Sequence, residues 1–505
     1  MERAKLLELL SSAKSISSVI VCGLGITGIE TALWLRRERL NVICVERLTR
    51  AQYEEKDKYF KIKELEQAGV TLAFGIDGEA VTGVLEKSAV SLCVLSPGIN
   101  LASSLVGALK RAAIPCVTEL ELGVLCAAVP TIMVTGSNGK STTVTLIHAL
   151  LLAAGKRALL CGNVGVPVVA EFRKLELASG LGARFDWLVV EASSYQLEAC
   201  ESLAPDIGVI LNLADNHLER HGTMQRYREA KLSMVLRQSA QQSVIINRDD
   251  KLLAEVTARL PGKLYTFGYS VLPQTEEGST IAGAQVTLNF TSLGSVKDYK
   301  IDCSQLKLFG AHNLENIAAA LMVLAVAGIG FQRDLQKISQ ALSAFTPLEH
   351  RLEFVVNINE ASILNDSKST TVAATVAAIK AVLSDAAHSA GKLILCVGGA
   401  AKTGSWQPLI NELKNTERRI KAVLCFGQDG PMIADHLRSA LSAEPTYEVH
   451  ITPSVASAVE MAIFKLQPRD VLLFSPGCAS FDAFSDFEHR GRSFKQEIRK
   501  YVENC

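Results

Sequence analysis

Short continuous runs of aliphatic and β-branched residues recur along this chain. Each is followed by a glycine or polar turn and then by a helix-like stretch. Val19-Ile20-Val21-Cys22, Val42-Ile43-Cys44-Val45 and Leu92-Cys93-Val94-Leu95 open the series. A strand that is apolar on both faces must be covered on both faces. Helices placed between such strands supply that cover, so the pattern restricts the chain to α/β folds built on parallel sheets.

A second series runs through Thr131-Ile132-Met133-Val134, Leu188-Val189-Val190, Val209-Ile210-Leu211 and Val244-Ile245-Ile246. From Leu264 to Leu308 the pattern turns to alternation with Gly and Thr, which predicts a small antiparallel patch, and an apolar helix from Leu314 to Ala327 closes the unit. A third series contains Ile363-Leu364, Leu393 to Cys396, Val423 to Phe426 and Val471 to Phe474. The 505 residues then divide into three α/β domains, 1–118, 119–347 and 348–505, at the usual size of about 100–200 residues each. The charged stretch from Arg47 to Glu66 reads as a solvated helical insertion, and further insertions are expected near 171–185 and 432–448.

Composition excludes several classes. Lys+Arg and Asp+Glu are both 52, so no basic excess exists to bind nucleic acid. The longest apolar run, Ile317 to Phe331, has 15 residues and contains Gly328 and Gly330. A spanning helix needs about 20, so no membrane insertion is expected. Glu2, Arg3, Lys5 and Glu8 have no apolar segment behind them and do not read as a secretory signal. Twelve cysteines without a C-x-x-C pair read as reduced, mostly buried thiols of a cytoplasmic protein.

In open parallel sheets, ligands bind beyond the carboxyl ends of the strands. Gly23, Ser96, Gly136, Gly162, Glu191, Asn212 and Asn365 each end an expected strand. Gly136-Ser137-Asn138-Gly139-Lys140-Ser141-Thr142 joins a strand to a helix. Its backbone N–H groups and the helix N-terminus can wrap a phosphate chain. Lys140 can reach the outer phosphates, and Ser141 or Thr142 a magnesium ion. Two residues separate the first glycine from Gly-Lys where four are usual, so the loop is a variant; the alternative is a plain turn with a solvated lysine.

Gly23-Leu24-Gly25-Ile26-Thr27-Gly28, with Glu46 ending the next strand, suits NAD, another nucleotide, or only a tight turn. Glu191 is a candidate magnesium ligand. His217 is either structural or a ligand, and Lys231, inside a helical stretch, reads as a surface lysine. Asn365-Asp366-Ser367-Lys368-Ser369-Thr370 could cap a helix or form a site. Cys478 reads as a buried thiol and not a nucleophile, since no His-Asp framework lies near it.

Taken in order, these motifs resemble the Mur ligases, the ATP-dependent amide-forming enzymes of peptidoglycan precursor synthesis. Thr135 to Thr142, Gly162-Asn163-Val164-Gly165, Glu191 to Glu198, Asn212 to Arg220, Tyr227 to Leu232, His312 to Asn316 and His350-Arg351-Leu352-Glu353 carry the resemblance. Asn365 to Thr370 and Ser475 to Gly491 point to the D-glutamate-adding branch. The resemblance implies a Rossmann-like first domain, a P-loop ATPase-type central domain and a Rossmann-like third domain. The substrates implied are UDP-N-acetylmuramoyl-L-alanine, ATP and D-glutamate, with Mg2+ as cofactor. A monomer is the expected form.

The resemblance also implies roles. Gly25, Ile26, Thr27, Glu46, Arg47, Ser96, Asn163, Ser193 and Gln196 would meet the UDP substrate. Residues 136–142 with Asn313, Asn316, Arg351 and Asp366 would meet ATP. Thr370, Lys402, Ser480 and Phe487 would meet D-glutamate, with Lys368 in the active site. Ser141, Glu191, His217 and a carbamylated Lys231 would hold the metal. The chain departs from the family pattern at Asn216, Glu219, Thr371 and Ala400-Ala401. The competing readings are another Mur-type or folylpolyglutamate ligase, a non-catalytic nucleotide-binding regulator, and an NAD-dependent dehydrogenase.

Overall fold

A computed structural model describes residues 3–13, 17–54, 59–164, 166–172, 184–214, 221–273, 276–289, 299–304, 306, 311–346, 349–384, 388, 390–401, 405–439 and 446–502. His217 and Lys402 lie outside the described residues, as does most of the expected 171–185 insertion. The chain forms two compact units: Met1–Ser304 with Glu315–Leu342, and Gln305–Leu314 with Ser343–Cys505. The first unit carries two sheets and the second unit one.

The first sheet contains β1 (Ser18–Cys22), β2 (Val42–Glu46), β3 (Thr71–Phe74), β4 (Val90–Leu95) and β5 (Cys116–Thr118). Their order is β3-β2-β1-β4-β5, all parallel. The apolar runs read from the sequence are the inner strands; Val19 to Val21 and Cys44 are buried. Strands β3 and β5 escape a pattern search because they are edges, short and only partly covered.

Arg47 to Glu66 is not a solvated insertion. It provides the helices Arg50–Tyr53 and Tyr59–Gln67, which connect β2 to β3. Tyr53, Ile62 and Leu65 are buried in the core. The i, i+3 spacing of Ile62 and Leu65 turns one narrow face inward while the charges stay outside.

The second sheet contains β6 (Thr131–Thr135), β7 (Ala158–Gly162), β8 (Trp187–Glu191), β9 (Ile207–Ile210), β10 (Ser243–Asn247), β11 (Lys263–Gly268), β12 (Gly278–Ala282), β13 (Gln285–Asn289) and β14 (Tyr299–Asp302). The order is β14-β13-β12-β11-β10-β9-β6-β8-β7. The expected antiparallel patch is smaller than its sequence signal. Strand β11 pairs in parallel with both β10 and β12, and only β12-β13-β14 is antiparallel. The apolar helix is present over Ala311–Val326.

The third sheet contains β15 (Glu353–Ile358), β16 (Ala361–Asn365), β17 (Leu393–Gly398), β18 (Ile420–Phe426), β19 (Glu448–Thr452) and β20 (Val471–Gly477). The order is β15-β16-β20-β17-β18-β19, parallel except for the β15-β16 pair. The insertion expected near 432–448 is largely an ordinary crossover. The helix Gly430–Ser439 buries Ile433, Ala434 and Leu437 on its way to edge strand β19. None of the described cysteines forms a disulfide, and all but Cys116 are buried, as expected of mostly buried thiols. Among the described residues, no helix is long and apolar enough to cross a membrane.

The helix Glu119–Ala127 follows β5 and carries two buried acids in its first turn. Glu121 Oε1 accepts from the backbone N–H of Ser202 at 2.6 Å. Glu119 Oε1 accepts from the N–H of Val169 at 3.0 Å, and burial pushes its pKa up to about 7. The folded chain therefore holds this proton more tightly than the unfolded chain. Its ionisation costs nothing below the unfolded value and costs the full amount above pH 7. A shift of that size is worth about 3 kcal/mol. Glu119→Gln should remove the dependence. Measured by urea unfolding, the stability of the variant relative to the parent should climb by up to about 3 kcal/mol between pH 4.5 and 8. A difference that stays flat with pH would contradict this account.

Candidate functional site

Three crevices form where strand order reverses, each at the carboxyl ends of neighbouring strands. Between β1 and β4, the N–H of Leu24 donates to Glu46 Oε2 at 2.9 Å, and that of Leu48 donates to Oε1 at 3.1 Å. Tyr53 Oη donates to the Leu24 carbonyl at 2.5 Å, and Ser96 Oγ to the Gly23 carbonyl at 3.1 Å. Glu46 and Ser96 thus brace the glycine turn. Gly28 must be glycine, because a Cβ there would stand 1.9 Å from the Gly23 carbonyl oxygen. A Cβ on Gly25 would meet nothing within 4 Å, so its backbone is open to a ligand. Ile26 is 76% exposed beside it, and Thr27 and Arg47 lie on the same rim of the sheet.

Between β6 and β9 lies the Gly136–Thr142 turn. Gly136 and Gly139 have φ of +156° and +84°, values that favour glycine. A Cβ on Gly139 would also strike Asn316 Oδ1 at 2.3 Å. The loop is pinned to the end of β9. The N–H of Ser137 donates to the Asn212 carbonyl at 3.0 Å, and that of Asn138 to Asn212 Oδ1 at 2.8 Å. Ser137 Oγ pairs with Tyr227 Oη at 2.9 Å. Lys140 Nζ lies over its own loop, donating to the carbonyls of Gly136 at 2.8 Å and Ser137 at 3.0 Å. Ser141 and Thr142 are buried in the first turn of the helix Lys140–Ala153.

Two further groups converge on this turn. Glu191 ends β8 and is 1% exposed. Its Oε1 accepts from Asn163 Nδ2 at 2.8 Å, while its buried Oε2 has no hydrogen-bond partner. Lys231, which pattern reading left on the surface, is also 1% exposed. Its Nζ donates to the Gly136 carbonyl at 2.8 Å and to Thr135 Oγ1 at 3.2 Å, and it stands 4.8 Å from the centre of the Tyr227 ring. Burial, reinforced by the Lys140 charge, pushes its pKa well down, against an opposing pull from Glu191.

An orphaned buried carboxylate oxygen beside a glycine-lysine turn fits a hard divalent cation next to a phosphate chain. Ser193 and Gln196 form a reciprocal capping box on the helix Ser194–Glu198. The S-x-x-Q spacing in the sequence is the signal that foretells this arrangement.

Between β16 and β20, in the second unit, Asp366 is buried. It accepts from Ser369 Oγ at 2.5 Å, Ser475 Oγ at 2.8 Å and the Leu352 N–H at 3.2 Å. Burial raises its pKa to about 6, opposed by these donors and by the charge of Arg351. Burial and Arg351 together lower His312 to about 4, and Asn313 beside it is buried. Lys368 Nζ lies 5.0 Å from the centre of the Phe487 ring.

Arg490, fully buried and unmarked in the sequence reading, ties two loops together. It donates to the carbonyls of Cys478 at 3.0 Å and Ala479 at 3.1 Å, and to the Ser367 carbonyl at 2.9 Å and Oγ at 3.1 Å. Those loops carry Lys368, Thr370 and the buried Ser480.

Comparison with known proteins accords with this geometry. Residues 134–324 match the Mur ligase middle domain, and residues 350–478 match the Mur ligase, glutamate ligase domain. The chain is 33% identical over 482 residues to the UDP-N-acetylmuramoylalanine–D-glutamate ligase of Geobacillus sp. strain WCH70, covering 95% of this chain and 97% of the relative. It is 32% identical over 486 residues to the ligase of the same name from Koribacter versatilis strain Ellin345, covering 96% and 98%.

Among solved structures, the UDP-N-acetylmuramate-alanine ligase MurC of Thermotoga maritima shares the fold, with a TM-score of 0.56 at 16% identity over 97% of this chain and 100% of that one. The MurF ligase of the same organism, solved with ADP, has a TM-score of 0.54 at 18% identity over 83% and 92%. With two family domains matched and relatives above 30% identity along nearly its whole length, the chain belongs to the Mur ligase family.

Proposed function

We propose that this chain is an ATP-dependent ligase that joins D-glutamate to UDP-N-acetylmuramoyl-L-alanine in cytoplasmic peptidoglycan precursor synthesis. The observation that carries the reading is the convergence of Lys140, the orphaned Glu191 oxygen and the buried Lys231 on one glycine turn. In this reading residues 1–118 bind the uridine diphosphate, 119–347 bind ATP and 348–505 bring the amino acid, and one chain suffices.

The chemistry has two steps. The substrate carboxylate attacks the γ-phosphorus of ATP, ADP leaves, and an acyl phosphate forms. The amine of D-glutamate then attacks the acyl carbon. Phosphate leaves, and the amine gives up its proton as the amide forms. A free carboxylate is a poor acyl donor because its leaving group would be oxide; phosphorylation replaces that with phosphate. The work left to the protein is positioning and charge neutralisation. The N–H groups of 136–142 cradle the phosphates, and the Lys140 ammonium balances charge developing on the transferred group.

Ser141, Glu191, His217 and Lys231 would hold Mg2+, which when bound screens the phosphate oxygens. A depressed pKa leaves Lys231 able to attack CO2 through its lone pair, and loss of a proton then gives a carbamate. Asn313, Asn316, Arg351 and Asp366 contact the nucleotide. The UDP substrate lies against Gly25, Ile26, Thr27, Arg47 and Asn163, on a turn braced by Glu46 and Ser96, with Ser193 and Gln196 shaping the wall. Lys368, Thr370, Lys402, Ser480 and Phe487 receive D-glutamate, where a lysine suits its side-chain carboxylate.

The testing experiment is phosphate release with UDP-N-acetylmuramoyl-L-alanine and ATP. D-Glutamate should support turnover, while L-alanine, glycine and L-glutamate should not. Turnover only with another amino acid would overturn the specificity. ATP binding without any substrate-dependent phosphate release would favour a regulator, and tight NADH binding a dehydrogenase.

A further inference from the structure

The segment His350-Arg351-Leu352 leads into β15, the second unit's first strand, and is hydrogen-bonded to the turn after β16. His350 and Leu352 both have left-handed backbone, with φ of +66° and +43°. Such backbone is strained for a residue with a side chain and persists only where its surroundings hold it. The surroundings here form one connected network. The N–H of Leu352 donates to Asp366 Oδ1, and the carbonyl of His350 accepts from the Lys368 N–H at 3.0 Å. The His350 N–H donates to Glu353 Oε2 at 2.9 Å.

The buried Asn365 donates through Nδ2 to that same oxygen at 3.0 Å and meets His350 Nδ1 at 2.8 Å. Packing closes the remaining side, since a Cβ on Gly491 would stand 2.3 Å from the His350 ring. The other oxygen of Glu353 accepts from Lys495 Nζ at 2.8 Å, and Lys495 also pairs with Glu349. Lys495 comes from the helix Phe487–Val502. Ligand atoms of Glu349, His350 and Glu353 lie within 4.8 Å of one another, as a metal would require, but the lysine ammonium already supplies the cation there.

We propose that Lys495 and Glu353 are positioning residues: their ion pair holds the strained His350-Arg351-Leu352 turn so that Arg351 and Asp366 face the nucleotide together. Neither residue touches a reactant. Glu353 spends one oxygen on the turn and the other on Lys495. Removing the lysine leaves a partly buried carboxylate that water and rotation can draw away from the His350 N–H. The strained turn then relaxes, and the Arg351 guanidinium leaves its register with Asp366. This rests on the reading of Arg351 and Asp366 as nucleotide contacts.

The test is steady-state kinetics with each substrate varied in turn. Lys495→Met, which keeps the aliphatic stem, should raise KM for ATP about tenfold, the scale of coupling within one network. KM for D-glutamate and for the UDP substrate should change less than twofold. Lys495→Arg should restore the parent value. Glu353→Gln should reproduce the shift, and the double variant should be no worse than either single one. Arg351→Ala serves as control. If it raises KM for ATP while Lys495→Met does not, the positioning role is wrong and the nucleotide reading stands. If Arg351→Ala leaves KM for ATP unchanged, both fall. A lowered melting temperature with all KM values unchanged, or a double variant whose effect is the product of the singles, would also overturn the proposal.

Discussion

Replacing Lys140 by alanine lowers kcat for phosphate release by about 10²–10³, the usual cost of removing one preorganised electrostatic stabiliser. The ammonium lies within 2.8 and 3.0 Å of the Gly136 and Ser137 carbonyls, at the mouth of the turn. Lys231 also donates to the Gly136 carbonyl, but burial and the Lys140 charge both disfavour its charged form there. The fold should survive, because Lys140 contributes no packing to the buried face of its helix. A single-turnover experiment separates the steps: formation of the acyl phosphate should slow while binding of the UDP substrate is retained. Turnover within a few-fold of the parent would remove the phosphate loop from the mechanism.

Replacing Lys231 by alanine should take activity below detection, and short carboxylic acids added to the variant should restore part of it. The parent side chain is enclosed by Thr135, Gly136 and Tyr227. A bare ammonium there would repel the Lys140 charge. Carbamylation would replace that ammonium with anionic oxygens, which together with the orphaned Glu191 Oε2 would suit a shared divalent cation. The alanine variant leaves a space of the right chemistry for a small carboxylate. Parent enzyme assayed in CO2-depleted buffer should lose activity reversibly. An alanine variant with normal turnover would dispose of the carbamate.

These two lysines also show how far the sequence could be read. The glycine-lysine turn is legible because its chemistry is local: the glycine conformations, the helix start and the charge fall within seven residues. Lys231 is not legible, since its partners come from the end of β6 and the turn after it, Thr135 and Gly136, 96 and 95 residues earlier in the chain. The inner strands announce themselves through continuous apolar runs. Strands β3, β5 and β19 do not, because an edge strand needs cover on fewer sides and so carries fewer apolar residues. The charged stretch after Arg47 misleads for a related reason: among its described residues Tyr53, Ile62 and Leu65 are buried and dock it, while the many charges beside them dominate its composition. The bracing role of Glu46 was not legible either: its carboxylate accepts from the Leu48 N–H two residues on and from the Leu24 N–H of the glycine turn after β1, 22 residues earlier.

Arg490 has one more consequence. Among the described residues its guanidinium hydrogen-bonds to no carboxylate: it donates to three carbonyls and a hydroxyl drawn from two loops, with the Asp482 charge within electrostatic range. Pulling either loop away would strand a desolvated cation, at a cost of several kcal/mol. The two loops are therefore latched into a single rigid jaw, and any motion of Lys368, Thr370 or Ser480 has to swing that jaw as a whole.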